Sequence, residues 1–596
     1  MNTKEKIAAL REEMKKEKIS VYIIPTSDFH DSEYVSPYFM TRKYFSGFTG
    51  SAGTLVVSEN EAALFTDGRY FIQAENQLRG SGIVLMKSGE AGVPTVRKYV
   101  SDILPKDGNI GFDGRVVTAE TGRYYKKNAE EKNGGIVDID LADRIWTDRP
   151  QLEHTEIYLL DEKYSGKSAA DKISEVREKM SEKKADVHII TALDEISWLF
   201  NIRADDIKCC PVVLSYAVIT ESSVLLFADK NACGKKVLEY LDKNGVTLRP
   251  YDEIYDYAEK LPDGRVWIDE KRANFRLAGS VKNCGIISEP SPAVLLKAVK
   301  NPVEIENIRY AHLLDGIAVT KFMYWLKTNI GKTRITESDA ANYIDSLRCK
   351  VGGEHFIAPS FDTISAYNAN AAMMHYSADS ENCAVLEPKG ILLVDSGGHY
   401  FEGTTDITRT FALGEVSDEV LYHFTLTLRA MLNLAAARFM YGCRGENLDI
   451  LARGIMWENG LDYRCGTGHG VGYLLSVHEG PNSFRHKLSE DKPMSAVLEE
   501  GMITTDEPGV YAEESHGIRI ENELLCKKAE KCEYGQVMKF ETITYAPIDL
   551  DCVDAALLES KDRERLNTYH KTVYEKLSPH FEGDELEYLK KCTRAI

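Results

Sequence analysis

The chain has 596 residues, more than one hydrophobic core supports, so three or four domains are expected. It is 43% hydrophobic and 28% charged, the balance of a soluble globular protein and not of a disordered one. The formal net charge of −20, from 73 basic and 93 acidic residues, repels phosphates and argues against nucleic acid or an anionic membrane as a partner.

The charged N-terminus, "MNTKEKIAALREEMKKEKIS", lacks the apolar core of a signal peptide. No run reaches the ~18 apolar residues of a membrane span. Twelve cysteines include no C-x-x-C pair, and Cys209 adjoins Cys210, which suits neither a zinc knuckle nor a thioredoxin-like motif. A reduced, cytoplasmic protein is expected.

In chain order, residues 4–18 predict an amphipathic helix with Ile7, Leu10 and Met14 inward, and Val21 to Ile24 a buried strand. "YFSGFTGSAGTLVVS" and "AALFTDGRYF" follow as strands separated by turns. "KIAALREEMKKEKISVYIIPTSD" (6–28) then echoes in "KISEVREKMSEKKADVHIITALD" (172–194), so a helix–strand unit restarts after 166 residues. Two related α/β domains in tandem are expected, at 1–150 and 151–297. A helical stretch at 293–327 is broken at Pro302, with Asn301 as a cap. It opens a third domain, 298–596, whose tail from about 548 reads as appended helices.

The third domain carries the chemistry. "CGTGHGVGYLLSVHEGP" (465–481) holds G-x-G-x-G, but the third-glycine spacing of a dinucleotide loop is wrong and no buried strand precedes it. The same stretch holds His469 and His478. In "GILLVDSGGHYFEGTTDITRTF" (390–411), an apolar strand delivers Asp395 at its tip, and Asp406 lies in an alternating segment beyond a glycine-containing turn, Ser396 to Gly403. A hairpin of this length can bring the two carboxylates together. Glu507 in "TDEPGVY" ends another strand, and Glu521 in "HGIRIENELL" lies on a further alternating strand. Four buried carboxylates and one histidine, in a loop whose glycines let the backbone approach a ligand, require compensation. Divalent cations supply it. Such a ligand set suits Mn²⁺, Co²⁺ or Fe²⁺ better than a thiolate-type zinc site, and four acids fit two ions with a bridging hydroxide.

These blocks, "VDSGGHYFEGTTDITRTF", "GTGHGVGYLLSVHEGP", "TDEPGVY" and "GIRIEN", resemble in order and spacing the signatures of the aminopeptidase P (Xaa-Pro aminopeptidase) family of M24 metallopeptidases. "TALDEISWLFNIRADDI" and the tail "MKFETITYAPIDLDCVDAALL" resemble its three-domain, cytosolic-type branch. The resemblance implies an α/β architecture: two tandem creatinase-like domains, then a pita-bread catalytic domain with a helical C-terminal extension. It implies two divalent metal ions, usually Mn²⁺ with Co²⁺, Fe²⁺ or Zn²⁺ as alternatives. The matching ligands are Asp395, Asp406, His469, Glu507 and Glu521, with Asp406 and Glu521 bridging. His375 and His478 match substrate-contacting histidines, and Arg519 matches an arginine beside Glu521. Cys465 stands where relatives often carry a histidine that lines the substrate site, so it joins the substrate-binding candidates.

The reaction expected is removal of the N-terminal residue from peptides with proline second. The X–Pro bond lacks an N–H, so a dedicated pocket is needed. Glu507 is the expected proton shuttle, His478 a donor to the carbonyl oxygen, and His375 a wall of the proline pocket. Rivals are an Xaa-Pro dipeptidase (prolidase), a methionine aminopeptidase, a metal-free creatinase-like enzyme and a non-catalytic pita-bread protein that binds peptides. Relatives also imply a homodimer through the C-terminal domain.

Overall fold

In the computed structural model, which describes residues 1–378, 383–488 and 494–596, the chain forms two compact units. One comprises Met1–Asp161 and Lys167–Ala293; the other comprises Glu162–Gly166 and Val294–Ile596.

The first unit contains the same fold twice. Helix Thr3–Lys16 is opened by a capping box between Asn2 and Glu5, and buries Ile7, Leu10 and Met14. Helix Ala169–Lys183, capped by Ser168, buries Ile173, Val176 and Met180, the positions 166 residues later. Each helix leads into a central strand, Ile19–Pro25 or Val187–Ile190, of a six-stranded sheet. The sheets match strand for strand. Ile19–Pro25 pairs antiparallel with Thr54–Ser58 and parallel with Asn109–Phe112. Val187–Ile190 pairs antiparallel with Tyr216–Thr220 and parallel with Gly264–Trp267. Even the helix-to-sheet tether is repeated. Arg11 Nε donates to Ser58 O at 2.9 Å, and Arg177 Nε donates to Thr220 O at 2.9 Å. The echo in sequence is therefore an echo in structure.

The two copies meet about a local two-fold relationship. Ala119 N–H donates to Ala273 O and Phe275 N–H to Val117 O, both at 2.8 Å. Glu120 N–H donates to Glu270 O and Arg276 N–H to Gly114 O, both at 2.9 Å. At the centre Thr118 pairs with Asn274, and each caps a helix, Ala119–Glu131 and Phe275–Ser280. Gly122 is required here, because a Cβ would stand 2.3 Å from the Phe275 ring. His30 of the first copy is buried against the second, its Nδ1 on Thr191 O at 2.8 Å and its Nε2 on the Tyr251 hydroxyl at 2.6 Å. Burial lowers its pKa, which keeps the ring neutral.

In the second unit, Pro302 starts helix Pro302–Asn329 under a capping box from Asn301 to Glu304. Helix Glu337–Gly352 packs on it. Strand Ile391–Ser396 is the centre of a three-stranded antiparallel sheet, between Ile364–Tyr367 and Ile407–Ala412. A six-stranded sheet includes, side by side, Asn522–Cys532, Ile503–Asp506, Gly468–Gly470 and Glu479–Phe484. The hairpin Gly509–Ala512/His516–Arg519 stands apart from both sheets. The tail helices Ser560–Leu577 and Gly583–Cys592 are more than appended. Val573, Leu577 and Leu589 share one core with Phe322 and Leu326 of the long helix and with Val394 and Phe411 of the three-stranded sheet.

Candidate metal centre

Asp395 and Asp406 meet on one face of the three-stranded sheet. Register sets Asp395 opposite Thr408, and Asp406 precedes Thr408 by two residues, hence on the same side. The connection between them is not the simple turn expected. Gly398–Tyr400 and Gly403–Thr404 pair with each other, and Phe356–Pro359 adds to the first, making a separate small sheet. Asp406 itself lies one residue before its strand rather than within it.

Three further expectations need correction. His469 is the middle residue of a short strand, Gly468–Gly470, not part of a loop. Its flanking glycines are required by strand packing: a Cβ would lie 1.8 Å from Thr505 O at Gly468 and 2.2 Å from Glu479 O at Gly470. Glu507 lies just past the end of strand Ile503–Asp506, held there by its N–H on Thr467 O at 2.8 Å. Glu521 falls between two strands, His516–Arg519 and Asn522–Cys532, where the chain passes from the hairpin into the six-stranded sheet. Its N–H donates to Thr408 O at 3.1 Å, and Thr408 Oγ1 donates to its Oε2 at 2.7 Å. That crossing ties the two sheets together at the acids.

The result is a convergent donor set. Ligand atoms of Asp406, His469 and Glu521 all lie within 4.8 Å of one another. His469 Nε2 is 3.5 Å from Asp406 Oδ2 and 3.5 Å from Glu507 Oε1. The other ring nitrogen, Nδ1, is 3.0 Å from Gly470 O. A carbonyl only accepts, so Nδ1 carries a proton, and Nε2 is the ring atom turned to the acids, the arrangement in which a metal-binding imidazole is held. Thr505 Oγ1 accepts the His469 N–H at 3.0 Å and donates to Glu507 Oε1 at 3.2 Å, fixing both. Asp395 Oδ2 accepts from Arg519 Nη2 at 2.5 Å, while its buried Oδ1 has no hydrogen-bond partner among the described residues.

Electrostatics shows why such a set needs compensation. Burial, then repulsion from Asp395 and Glu507, raises the Asp406 carboxyl well above the usual range. Burial, then repulsion from Asp406, Glu507 and Asp395, does the same to Glu521. Arg519 relieves Asp406 in part. Divalent cations would hold these acids ionised, and Asp395 Oδ1 and His469 Nε2 are suitable donors. Oxygen donors with one imidazole and no thiolate fit a hard to borderline ion.

The remaining candidates surround this cluster. The half-buried His478 ring stands edge-on to His469, centroids 4.3 Å apart. His375, also half-buried, follows Met374, whose carbonyl is 3.5 Å from Arg519 Nη2. Arg519 Nη1 donates to the Tyr511 hydroxyl at 2.7 Å and Nε to Thr408 Oγ1 at 3.1 Å. Cys465 is partly buried, close enough to Tyr511 and Tyr463 to bear on both hydroxyls, and its carbonyl accepts from Arg453 Nη2 at 3.0 Å.

Several supporting residues escaped the sequence reading. Glu523 Oε1 accepts the Asp406 N–H at 2.8 Å, and its other oxygen lies 3.1 Å from His312 Nε2, both side chains fully buried. Its signal was present in "IENELL": a second acid two residues after Glu521. Lys297 and Lys300 lie 2.9 Å and 3.1 Å from the two oxygens of buried Glu479, directly after His478. Nothing in their local sequence announces that pairing.

Acids and an imidazole gathered between two antiparallel sheets, with two duplicated α/β domains ahead of them in the chain, define a metal-dependent hydrolase of the peptidase class. Family models agree in order along the chain: Creatinase/Prolidase N-terminal domain at residues 6–145 and again at 148–304, Metallopeptidase family M24 at 306–528, and C-terminal region of peptidase M24 at 536–596. The chain belongs to metallopeptidase family M24. It is 39% identical over 624 residues to a probable Xaa-Pro aminopeptidase P of Tuber melanosporum, covering 100% of both chains. It is 36% identical to aminopeptidase P1 of Arabidopsis thaliana, covering 97% of each. The crystal structure of the X-prolyl aminopeptidase of Caenorhabditis elegans, described as a cytosolic enzyme with a di-nuclear active site, matches with a TM-score of 0.94 at 34% identity, covering 100% of both chains. The expected fold, two creatinase-like domains followed by a pita-bread catalytic domain with its C-terminal region, holds throughout.

Proposed function

We propose that the protein is an Xaa-Pro aminopeptidase. It removes the first residue of peptides with proline second, using two divalent ions held by Asp395, Asp406, His469, Glu507 and Glu521. The observation that carries this reading is the convergence of Asp406, His469 and Glu521 within 4.8 Å, with Glu507 3.5 Å from His469. Manganese is the proposed metal.

Held by these residues, divalent ions would supply Lewis-acid activation of water and of the scissile carbonyl. The chain's own residues do the rest. Asp406 and Glu521, both raised well above the usual carboxylate range by burial and by repulsion from neighbouring acids, are the pair that would be shared between the ions. Glu507 is the proton shuttle. Its side chain is 20% exposed against 5% for Asp406, so it can reach both cluster and substrate, and Oε1 can take a proton and pass it to the departing proline nitrogen. His478 donates a hydrogen bond to the substrate carbonyl oxygen. His375 walls the proline ring, and Arg519 keeps Asp395 oriented. The substrate's amine sits beside Asp406, which restricts cleavage to chain ends. Cys465, where relatives often carry histidine, tunes preference after the scissile bond. The protein acts in the cytoplasm as a homodimer through its C-terminal domain.

The test is cleavage of Arg-Pro-Pro by metal-stripped protein with and without Mn²⁺, with the dipeptide Arg-Pro alongside. Free arginine released from the tripeptide only with metal supports the proposal. No release from folded protein that takes up metal overturns it, and cleavage confined to Arg-Pro identifies a dipeptidase instead.

A further inference from the structure

Helix Glu337–Gly352 begins with a fully buried acid whose four hydrogen bonds go to residues that lie before and after His375 in the chain. Glu337 Oε1 accepts from Tyr367 N–H at 2.6 Å and from Asn370 Nδ2 at 2.9 Å. Its Oε2 accepts from the Tyr376 hydroxyl at 2.8 Å and from Ala384 N–H at 2.8 Å. A carboxylate has about four acceptor positions, and here each is used. The Glu337 N–H returns a bond to Ala384 O at 3.1 Å. Its seat at a helix N-terminus suits a negative group.

His375 lies between these anchors. Tyr376 follows it and bonds Glu337; Met374 precedes it, with its carbonyl facing Arg519. The segment's other side rests on strand His516–Arg519 so closely that a Cβ on Gly517 would stand 1.8 Å from Ala371 O. His375 is thus bracketed by a hub on one side and by the arginine of the metal cluster on the other. The hub touches none of Asp395, Asp406, His469, Glu507 and Glu521 among the bonds of its carboxylate. We infer that Glu337 is a positioning residue that sets the placement of His375, and through it the affinity for substrate, without serving the metal. The inference rests on His375 being a substrate contact, as proposed above.

Glu337→Gln keeps the shape but presents an amide N–H₂ to donors that need an acceptor, and Tyr376→Phe removes one bond with less risk to folding. Arg-Pro-Pro kinetics, Mn²⁺ titration calorimetry and hydrogen exchange are measured on the full chain. With Glu337→Gln, KM rises about tenfold or more while kcat stays within about threefold. Mn²⁺ stoichiometry is unchanged, and exchange quickens in residues 367–378 but not in 391–396. Tyr376→Phe moves KM and exchange in the same direction by less, and carries the test alone if the glutamine variant does not fold. Unchanged KM and exchange overturn the inference, as does a loss of metal uptake or kcat equal to the change in KM. If wild-type protein leaves Arg-Pro-Pro intact, the proposed function fails while the exchange measurement still decides whether Glu337 holds the segment.

Discussion

Arg519 holds Asp395 by one oxygen and leaves the other bare: Nη2 donates to Oδ2 at 2.5 Å, and Oδ1 is buried without a hydrogen-bond partner among the described residues. The same guanidinium reaches Thr408 and Tyr511, so it works as a fork and not only as a charge. Arg519→Lys keeps the charge and loses the fork. Loss of such an outer partner costs about 10–100-fold in metal affinity, and we expect that range for Mn²⁺ by calorimetric titration. An unchanged affinity would reduce Arg519 to its charge.

Glu507 separates binding from chemistry. Glu507→Gln preserves size and the Thr505 contact but cannot take up a proton at Oε1. The rate on Arg-Pro-Pro should fall by about a hundredfold or more. Single-turnover kinetics on metal-saturated variant protein would show it, and near-normal turnover would remove Glu507 from the proton path.

Metal should stabilise the fold as well as activate it. At a free Mn²⁺ concentration of 100 times its dissociation constant, the gain is about 2.7 kcal/mol. Thermal unfolding with and without Mn²⁺ reads this directly. Asp406→Asn should abolish the shift. The metal-free variant should be at least as stable as metal-free wild type, because a buried acid repelled by Asp395 and Glu507 is gone. A less stable apo variant would contradict the electrostatic account.

Acid should weaken the first unit through His188. This fully buried ring bonds Trp267 O at 3.0 Å and Ser291 Oγ at 3.1 Å, and burial pushes its pKa from 6.5 down to about 4. Below pH 6.5 the unfolded chain binds the proton first. Stability is therefore full above that value and declines as pH falls towards 4. The loss from this residue is about 2 kcal/mol by pH 5. Urea unfolding at pH 7 and pH 5 should show a smaller difference in His188→Gln than in wild type. Equal differences would clear His188 of the effect.

What could be read from sequence follows from where the physics is local. Ile7, Leu10 and Met14 recur as a helical stripe, and their counterparts at 173, 176 and 180 bury the same face, so the duplication was legible. Asp395 was legible because four apolar residues lead to it. The sequence around His469 reads as a loop because glycine carries no strand signal; its neighbours are glycine for the sake of Thr505 and Glu479 on adjoining strands. The stretch around Glu521 reads as one continuous strand because alternation runs on through a point where the chain changes sheets. His312 and Glu523, more than two hundred residues apart, and Glu337 with its distant segment are tertiary pairings that no local pattern encodes.

The symmetric contact around Thr118 and Asn274 has the form of an isologous dimer interface contained in one polypeptide. Joining two like domains replaces an encounter that depends on protein concentration with one at the millimolar-scale effective concentration a short tether provides. Neither half then has to remain self-complementary. His30 of the first copy bonds Tyr251 of the second, and a fused pair is free to carry such a contact without its symmetric counterpart. Fusion thus turned a constraint shared by two identical surfaces into two surfaces free to specialise.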